Sequence, residues 1–228
     1  LSNADPQTRA RMPQNYGQAD GHKRRLRVRT AADAFPVAKR AFDILVSVSV
    51  LIPVALLCAA VLLVLNPLFN AGGPLFYVQS RMGRNCTVFR AIKFRTMRGT
   101  GRITRKASGP LEHDRITTLG RFLRETHLDE LPQALNVLRG EMSLIGPRPD
   151  YFEHATEYLR LVPGYRARHT VRPGISGLAQ TELGYADGLD ATRAKVLADL
   201  RYIENAGFKL DAWIVWRTLV TVLRCNGA

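Results

Sequence analysis

Asp129-Glu130 is an adjacent acidic pair in a strongly basic sequence, and chemistry is expected there first. Pro132 follows it, a residue well tolerated just inside a helix start. The pair is thereby placed near a helix N-terminus, whose partial positive charge favours ionised carboxylates. Taken alone, such a pair reads as helix capping. Its company argues for more: Arg121 and Arg124 precede it within two turns, Arg139 and Arg148 follow, and between residues 34 and 111 the only acid is Asp43. In Gly146-Pro147-Arg148-Pro149 two prolines stiffen the backbone around an arginine, presenting its guanidinium with little freedom to lose. Planar, bidentate recognition of phosphate is what Arg does better than Lys. An isolated motif of this kind reads first as a structural turn with a salt bridge. Arg172-Pro173-Gly174-Ile175-Ser176-Gly177 is similar, a Gly-rich turn able to expose backbone N–H groups to an anion. His22, His113, His127, His154 and His169 show no metal-ligand spacing, and Cys58, Cys86 and Cys225 form no paired pattern. No Walker-type phosphate loop, dinucleotide fingerprint or nucleophile elbow is present. What remains is a set of carboxylates and arginines with one well-placed lysine, Lys93. That set suits phosphoryl transfer with a divalent cation, where catalysis is mostly positioning and charge neutralisation.

The elements that must hold these residues are unevenly charged. The chain has 228 residues with 33 Lys plus Arg against 19 Asp plus Glu, a formal net charge of +14. An anionic partner follows: nucleic acid, phospholipid head groups or a phosphorylated substrate. Residues 81–124 carry twelve basic side chains against two acidic, whereas Ile44 to Ser80 is 37 residues without a charge. A soluble domain of this size has too much surface to leave so long a stretch undecorated. Ile44–Leu65 is apolar apart from Ser47 and Ser49, and as a helix it is about 33 Å long, near the thickness of a hydrocarbon core. Pro53 sits near its middle, where it removes a backbone hydrogen bond and bends the helix. Both flanks are basic, Lys39 and Arg40 before and Arg81 to Lys106 after, and the positive-inside rule keeps both on one face. A helix that enters, bends at Pro53 and returns satisfies both observations; a plain span stays open beside it. Ser49 could offer its hydroxyl to a carbonyl released near the break.

Residues 1–35 read as a flexible basic arm, 36–70 as the membrane helix and 71–228 as a catalytic domain on one membrane face. Within that domain Leu75–Gln79 and Thr87–Phe94 predict a small β-hairpin, enriched in aromatic and β-branched residues. Residues 99–113 read as a flexible loop. Helices are predicted over 118–125, 131–138, 151–161, 191–205 and 211–223, the last broadly apolar with Trp213 and Trp216. That helix suits a bilayer interface, where indoles prefer to sit, and equally a buried C-terminal position. The fold class is α+β, mainly helical: a small hairpin and short helices on a re-entrant membrane helix, with interfacial amphipathic helices.

Read together, several stretches resemble one family. They are Lys93-Phe94-Arg95-Thr96-Met97, Leu128-Asp129-Glu130-Leu131-Pro132-Gln133, Asn136-Val137-Leu138-Arg139-Gly140-Glu141-Met142-Ser143, Gly146-Pro147-Arg148-Pro149 and Arg172-Pro173-Gly174-Ile175-Ser176-Gly177, in that order. From about Lys39 to Arg224 the chain resembles the bacterial sugar transferases called monotopic phosphoglycosyl transferases. It looks like a compact form, without the additional N-terminal membrane bundle of larger relatives. The resemblance implies transfer of a sugar phosphate from a UDP-sugar to polyprenyl phosphate in the bacterial inner membrane, on its cytoplasmic face, with release of UMP. It implies that Asp129 is the nucleophile and forms a phospho-sugar aspartyl intermediate, and that Glu130 holds Mg²⁺. It places Lys93, Arg124 and Arg148 at basic positions that bind substrate phosphates. It further implies a re-entrant anchor broken at a Ser-Pro pair, matched here by Ile52-Pro53: the proline is kept and the serine is not. Expected partners are thus a UDP-sugar, polyprenyl phosphate and an anionic phospholipid membrane, with no nucleic acid; a homodimer is compatible with the sequence. The competing reading from charge alone is a membrane-tethered nucleic-acid-binding protein or a non-catalytic scaffold. It lacks an aromatic stacking platform and a recognition helix.

Overall fold

The structure is a computed structural model that describes residues 34–69, 73–98, 115–183 and 188–223. The basic arm and the loop over 99–113 lie outside the described residues. Helix α1 (Ala34–Val46) passes through a π-helical turn, Ser47–Leu51, into α2 (Ile52–Phe69). The change of helical ladder falls just before Pro53. Ile52 N–H donates five residues back, to Ser47 O, and Pro53 has no N–H to continue the α pattern. Ser49 Oγ donates to Leu45 O at 2.7 Å, the ordinary i−4 bond of a helical serine, and not to the carbonyl of residue 49 that Pro53 leaves without an α partner.

Strands β1 (Phe76–Met82) and β2 (Val88–Phe94) form the expected antiparallel hairpin, in register from Phe76 opposite Phe94 to Met82 opposite Val88. Helix α3 (Thr118–Glu125) begins at Thr117, whose hydroxyl accepts from Gly120 N–H at 2.9 Å, a cap that stabilises a helix by about 1 kcal/mol. Gly120 is required for docking: a Cβ there would lie 2.0 Å from Thr96 O, so α3 rests directly on the backbone that leaves β2. A 3₁₀ segment (Leu128–Gln133) leads into the short α4 (Ala134–Leu138). Strand β3 (Ser143–Ile145), α5 (Phe152–Leu161) and a second 3₁₀ segment (Tyr165–Thr170) follow. Strand β4 (Gly174–Ser176) pairs in parallel with β3. Helices α6 (Leu178–Leu183), α7 (Leu189–Asn205) and α8 (Phe208–Leu223) complete the described chain. The fold is α+β and mainly helical, as the sequence indicates.

Apolar burial ties the membrane helix to the domain at two levels. Val46 and Leu51 pack on the central core of Phe89, Val137, Met142, Leu144, Tyr202 and Ile214. Further along, Leu62 is buried with Phe94 and Leu123, and Cys58 and Ala59 pack against them. Polar contacts fix α1 as well. Asp43, 2% exposed, accepts from Ser143 Oγ at 2.8 Å and Leu144 N–H at 3.2 Å. Arg40 donates to the carbonyls of Val137 (2.7 Å) and Leu138 (3.1 Å), cations being favoured at a helix C-terminus. Lys39 pairs with Asp211 at 2.5 Å. The broad apolarity of α8 resolves into two faces: Asp211 and Ile214 are buried, while Trp213, Trp216 and Leu219 are exposed.

Candidate active site

The acidic pair lies inside the 3₁₀ segment Leu128–Gln133, in its first turn, rather than ahead of an α-helix over 131–138. Pro132 sits within that segment and the α-helical part starts only at Ala134. A left-handed His127 (φ 55°) turns the chain out of α3, and Glu130 N–H closes onto its carbonyl at 3.1 Å. Residues three apart eclipse in a 3₁₀ helix. Leu128 and Leu131 therefore share one face, and they pack against the buried cluster of Leu62, Phe94 and Leu123. The segment that carries the acids thus rests on the membrane helix.

Lys93 comes from β2. That strand is stitched to α4 by the fully buried Asn136, whose Oδ1 accepts from Ile92 N–H at 3.1 Å and whose Nδ2 donates to Arg90 O at 2.7 Å. Lys93 Nζ reaches Glu130 Oε1 at 2.5 Å and Asp129 Oδ2 at 3.9 Å. Arg148 forks onto Glu130, with Nη1 donating to Oε2 at 2.9 Å and Nη2 bonded to Oε1. Nη1 also donates to Ile175 O at 3.3 Å. Arg124, in the last turn of α3, donates from Nε to Thr96 Oγ1 at 2.9 Å and adds positive potential at Asp129. Lys93, Arg124, Asp129, Glu130 and Arg148 are therefore brought together from four separate segments. Arg121 and Arg139 are exposed.

The two carboxylates differ sharply. Both are buried, Asp129 at 7% and Glu130 at 4% exposure. Burial opposes ionisation of Glu130, but Arg148 and Lys93 overcome it and hold its pKa well below the usual carboxylate range. At Asp129 burial wins: it raises the pKa, Glu130 adds to the rise, and Lys93, Arg148 and Arg124 only partly offset it. Glu130 is locked by three donor contacts, whereas Asp129 has one long ion pair among the described residues. Burial also lowers the pKa of His127 beside them, with Glu130 opposing.

In the segment Arg172–Gly177 the backbone is partly spent on strand pairing. Gly174 N–H donates to Pro147 O at 3.0 Å, and Gly174–Ser176 is strand β4. Arg172 donates to Gly140 O at 2.9 Å. A Cβ on Gly174 would sit 2.1 Å from Gly146 N, so these glycines serve the close crossing of two backbones. Thr96, which holds Arg124, and Asn136, which holds β2, are unmarked by the sequence reading. Both lie within stretches quoted for the resemblance, which was the available signal.

The family described as bacterial sugar transferase matches residues 34–225. A UDP-N-acetylgalactosamine-undecaprenyl-phosphate N-acetylgalactosaminephosphotransferase of Aeromonas hydrophila is 39% identical over 210 residues, 91% of this chain and 48% of that protein. The exopolysaccharide production protein PSS of Rhizobium leguminosarum bv. phaseoli is 40% identical over 195 residues, 82% of this chain and 96% of that protein. A UDP-glucose:undecaprenyl-phosphate glucose-1-phosphate transferase of Caulobacter vibrioides is 36% identical over 196 residues, 84% of this chain and 69% of that protein. The chain thus spans about half the length of the Aeromonas relative and nearly all of the Rhizobium one.

Proposed function

Because the chain belongs to the bacterial sugar transferase family, we propose that it moves a sugar 1-phosphate from a UDP-sugar to a polyprenyl phosphate such as undecaprenyl phosphate, releasing UMP. The setting is the assembly of an exopolysaccharide or related glycoconjugate, on the cytoplasmic face of the bacterial inner membrane. The observation that carries the reading is the contrast between the neighbouring carboxylates. Glu130 is fixed by Arg148 and Lys93, while Asp129 is largely buried with only the long Lys93 ion pair among the described residues. A carboxylate so placed is a nucleophile awaiting an electrophile.

In the first step an Asp129 oxygen bonds to the phosphorus that carries the sugar. The bridging P–O bond of the diphosphate breaks and UMP leaves with that oxygen and its electron pair. In the second, an oxygen of the polyprenyl phosphate attacks the same phosphorus and expels the Asp129 carboxylate, giving polyprenyl-diphosphate-sugar. Dividing the displacement lets the water-soluble and lipid substrates bind in turn. Each attack brings anions together, and Lys93, Arg124 and Arg148 offset that repulsion.

The residues fit Mg²⁺ delivered with the substrate. No cluster of three or more ligating side chains exists among the described residues, but Mg²⁺ needs only one or two carboxylates when phosphates and waters complete its shell. A carboxylate offers about four lone-pair sites; Glu130 uses three, leaving one for the ion, beside Asp129. Bound there, Mg²⁺ would neutralise diphosphate charge.

Asp129→Asn is expected to abolish UMP release from a UDP-sugar in the presence of polyprenyl phosphate and Mg²⁺. Full activity in that variant overturns the assignment. Incubating the wild-type protein with UDP-sugar alone is expected to leave a phospho-sugar adduct on the peptide containing Asp129, read by mass spectrometry.

A further inference from the structure

Arg148 is aimed from behind by a charge cluster centred on the buried Arg168 and Asp199, which among the described residues forms no ion pair with Glu130 or Asp129. Every carbonyl of Pro147–Asp150 has a donor. Gly174 N–H reaches Pro147 O at 3.0 Å, Arg168 Nη2 reaches Arg148 O at 2.6 Å, Arg81 Nη1 reaches Pro149 O at 3.0 Å, and Met82 N–H reaches Asp150 O at 3.1 Å. Three of these donors are backbone groups or a half-buried side chain at the hairpin end. The fourth, Arg168, is only 1% exposed and spends its whole fork on the cluster. Its Nε donates to Asp199 Oδ2 at 2.8 Å, Nη1 pairs with the Asp150 carboxylate, and Nη2 takes the Arg148 carbonyl. Asp150 is bound in turn by Lys195 and by Tyr165 OH at 2.7 Å.

Burying Arg168 against Asp199, with Asp150 and Lys195 half-buried beside them, carries a large desolvation cost, and well-packed apolar residues often stabilise a fold as well or better. The cluster does what apolar packing cannot. It grips the backbone at Arg148 and the side chain two residues on, fixing both position and direction of the loop. The geometry points to Arg168 as a positioning residue for the transfer reaction: it orients the Arg148 guanidinium toward Glu130 and the substrate diphosphate, with Asp150, Lys195 and Tyr165 holding the loop's far end. This rests on the phosphate-binding role of Arg148 proposed above. A lysine keeps the charge balance with Asp150 and Asp199, but its three N–H groups diverge from one atom and cannot reach acceptors set opposite three separate guanidinium nitrogens.

Arg168→Lys is the test, in the full chain in detergent or nanodiscs. It is expected to fold and to lower kcat for UMP release by about 100-fold, the scale of a 1 Å misplacement, with KM for the UDP-sugar changed only a few-fold. Adding Arg168→Lys to Arg148→Gln is expected to cause no further loss. Full multiplicative loss in the double variant, or wild-type kcat in the single one, overturns the proposal. A second readout does not use activity: phenylglyoxal modification of Arg148, followed by peptide mapping, is expected to speed up several-fold once the guanidinium loses its aim at Glu130. An unchanged rate overturns the positioning role. If the wild-type protein releases no UMP from any UDP-sugar, the transferase reading fails instead, and the modification rates still decide the positioning. Should Arg168→Lys not fold, Tyr165→Phe and Lys195→Met carry the same two comparisons, a non-additive loss with Arg148→Gln supporting the proposal and an additive one rejecting it.

Discussion

Arg148 works through two parallel N–H groups on Glu130, a geometry that a lysine ammonium cannot reproduce. Arg148→Lys is therefore expected to reduce kcat/KM by roughly 10- to 1000-fold despite its retained charge, about 1.4 kcal/mol for each factor of ten. Wild-type turnover in that variant would show that a point charge suffices. His169 gives a prediction for stability. It is 5% exposed, and its Nδ1–H donates to Gly83 O at 3.1 Å while Nε2 is buried without a partner among the described residues. Burial, with Arg168 adding to it, pushes its pKa down to about 4. The unfolded chain takes up a proton near the ordinary value of 6.5, which the folded chain refuses until about pH 4. Stability is thus complete above about 6.5 and falls with pH through that window, by up to about 1.4 kcal/mol per unit. His169→Asn keeps a donor for Gly83 and removes the titration, so its Tm is expected to drop less between pH 7 and pH 5 than the wild-type value. An equal drop would assign the acid sensitivity elsewhere. At this scale Asp129 and Glu130 are legible as acids in a basic stretch and Arg148 through its bracketing prolines, whereas the roles of Lys93, Arg124 and Arg148 come from the family resemblance. Arg168, Asp150 and Asp199 are not legible, because a buried ion cluster spread over 50 residues leaves no local spacing to read.

The elements divide by what holds them. Helices α3, α5, α7 and α8 carry enough turns for a 3.6-residue pattern, and the hairpin shows its β-branched run, so the sequence places all of them within a few residues. The β3–β4 pair does not show itself. Each strand is three residues long, and a period of two cannot be seen in three residues. Gly174 and Gly146, read as loop glycines, are there because two backbones cross. The 3₁₀ segment under the acids is hidden for a related reason: its α-like composition is overridden by Leu128 and Leu131 docking on Leu62. Helix α1 is held differently, by Asp43 on the start of β3. Removing that carboxylate leaves Ser143 Oγ and Leu144 N–H buried without their acceptor. Asp43→Ala is expected to cost about 2–4 kcal/mol, seen as a lowered Tm in detergent, and Asp43→Asn clearly less because one acceptor oxygen remains. Equal effects of the two substitutions would mean that the negative charge, and not hydrogen bonding, fixes α1.

The whole molecule is organised by where its uncharged stretch lies relative to its domain. The apolar helix runs over Phe35–Asn66, and its exposed Leu45, Val48, Leu56, Leu57, Leu63 and Val64 require lipid. Yet the domain holds this helix near both ends, at Lys39, Arg40 and Asp43 and again at Cys58, Ala59 and Leu62. Asp43 and Leu62 are about 28 Å apart along a helix, nearly a hydrocarbon thickness. A transverse helix held at both levels would drag into the bilayer the segment that carries Asp129 and Glu130, since Leu128 and Leu131 rest on Leu62. Burying those ions in hydrocarbon is prohibitive. A helix that enters beside α8, whose exposed Trp213 and Trp216 suit the interface, and returns to the same face would avoid that cost and, on the proposed function, would set the acids at head-group height. The π-helical turn before Pro53 is the place where the ladder yields. The prediction is topological. In a variant without native cysteines, Val37→Cys and Pro74→Cys, one before and one after the helix, should both resist a membrane-impermeant thiol reagent added to intact cells and both react in inverted membrane vesicles. Labelling of either position from the periplasmic side would make the helix a span and require the domain to release one of its two holds on it.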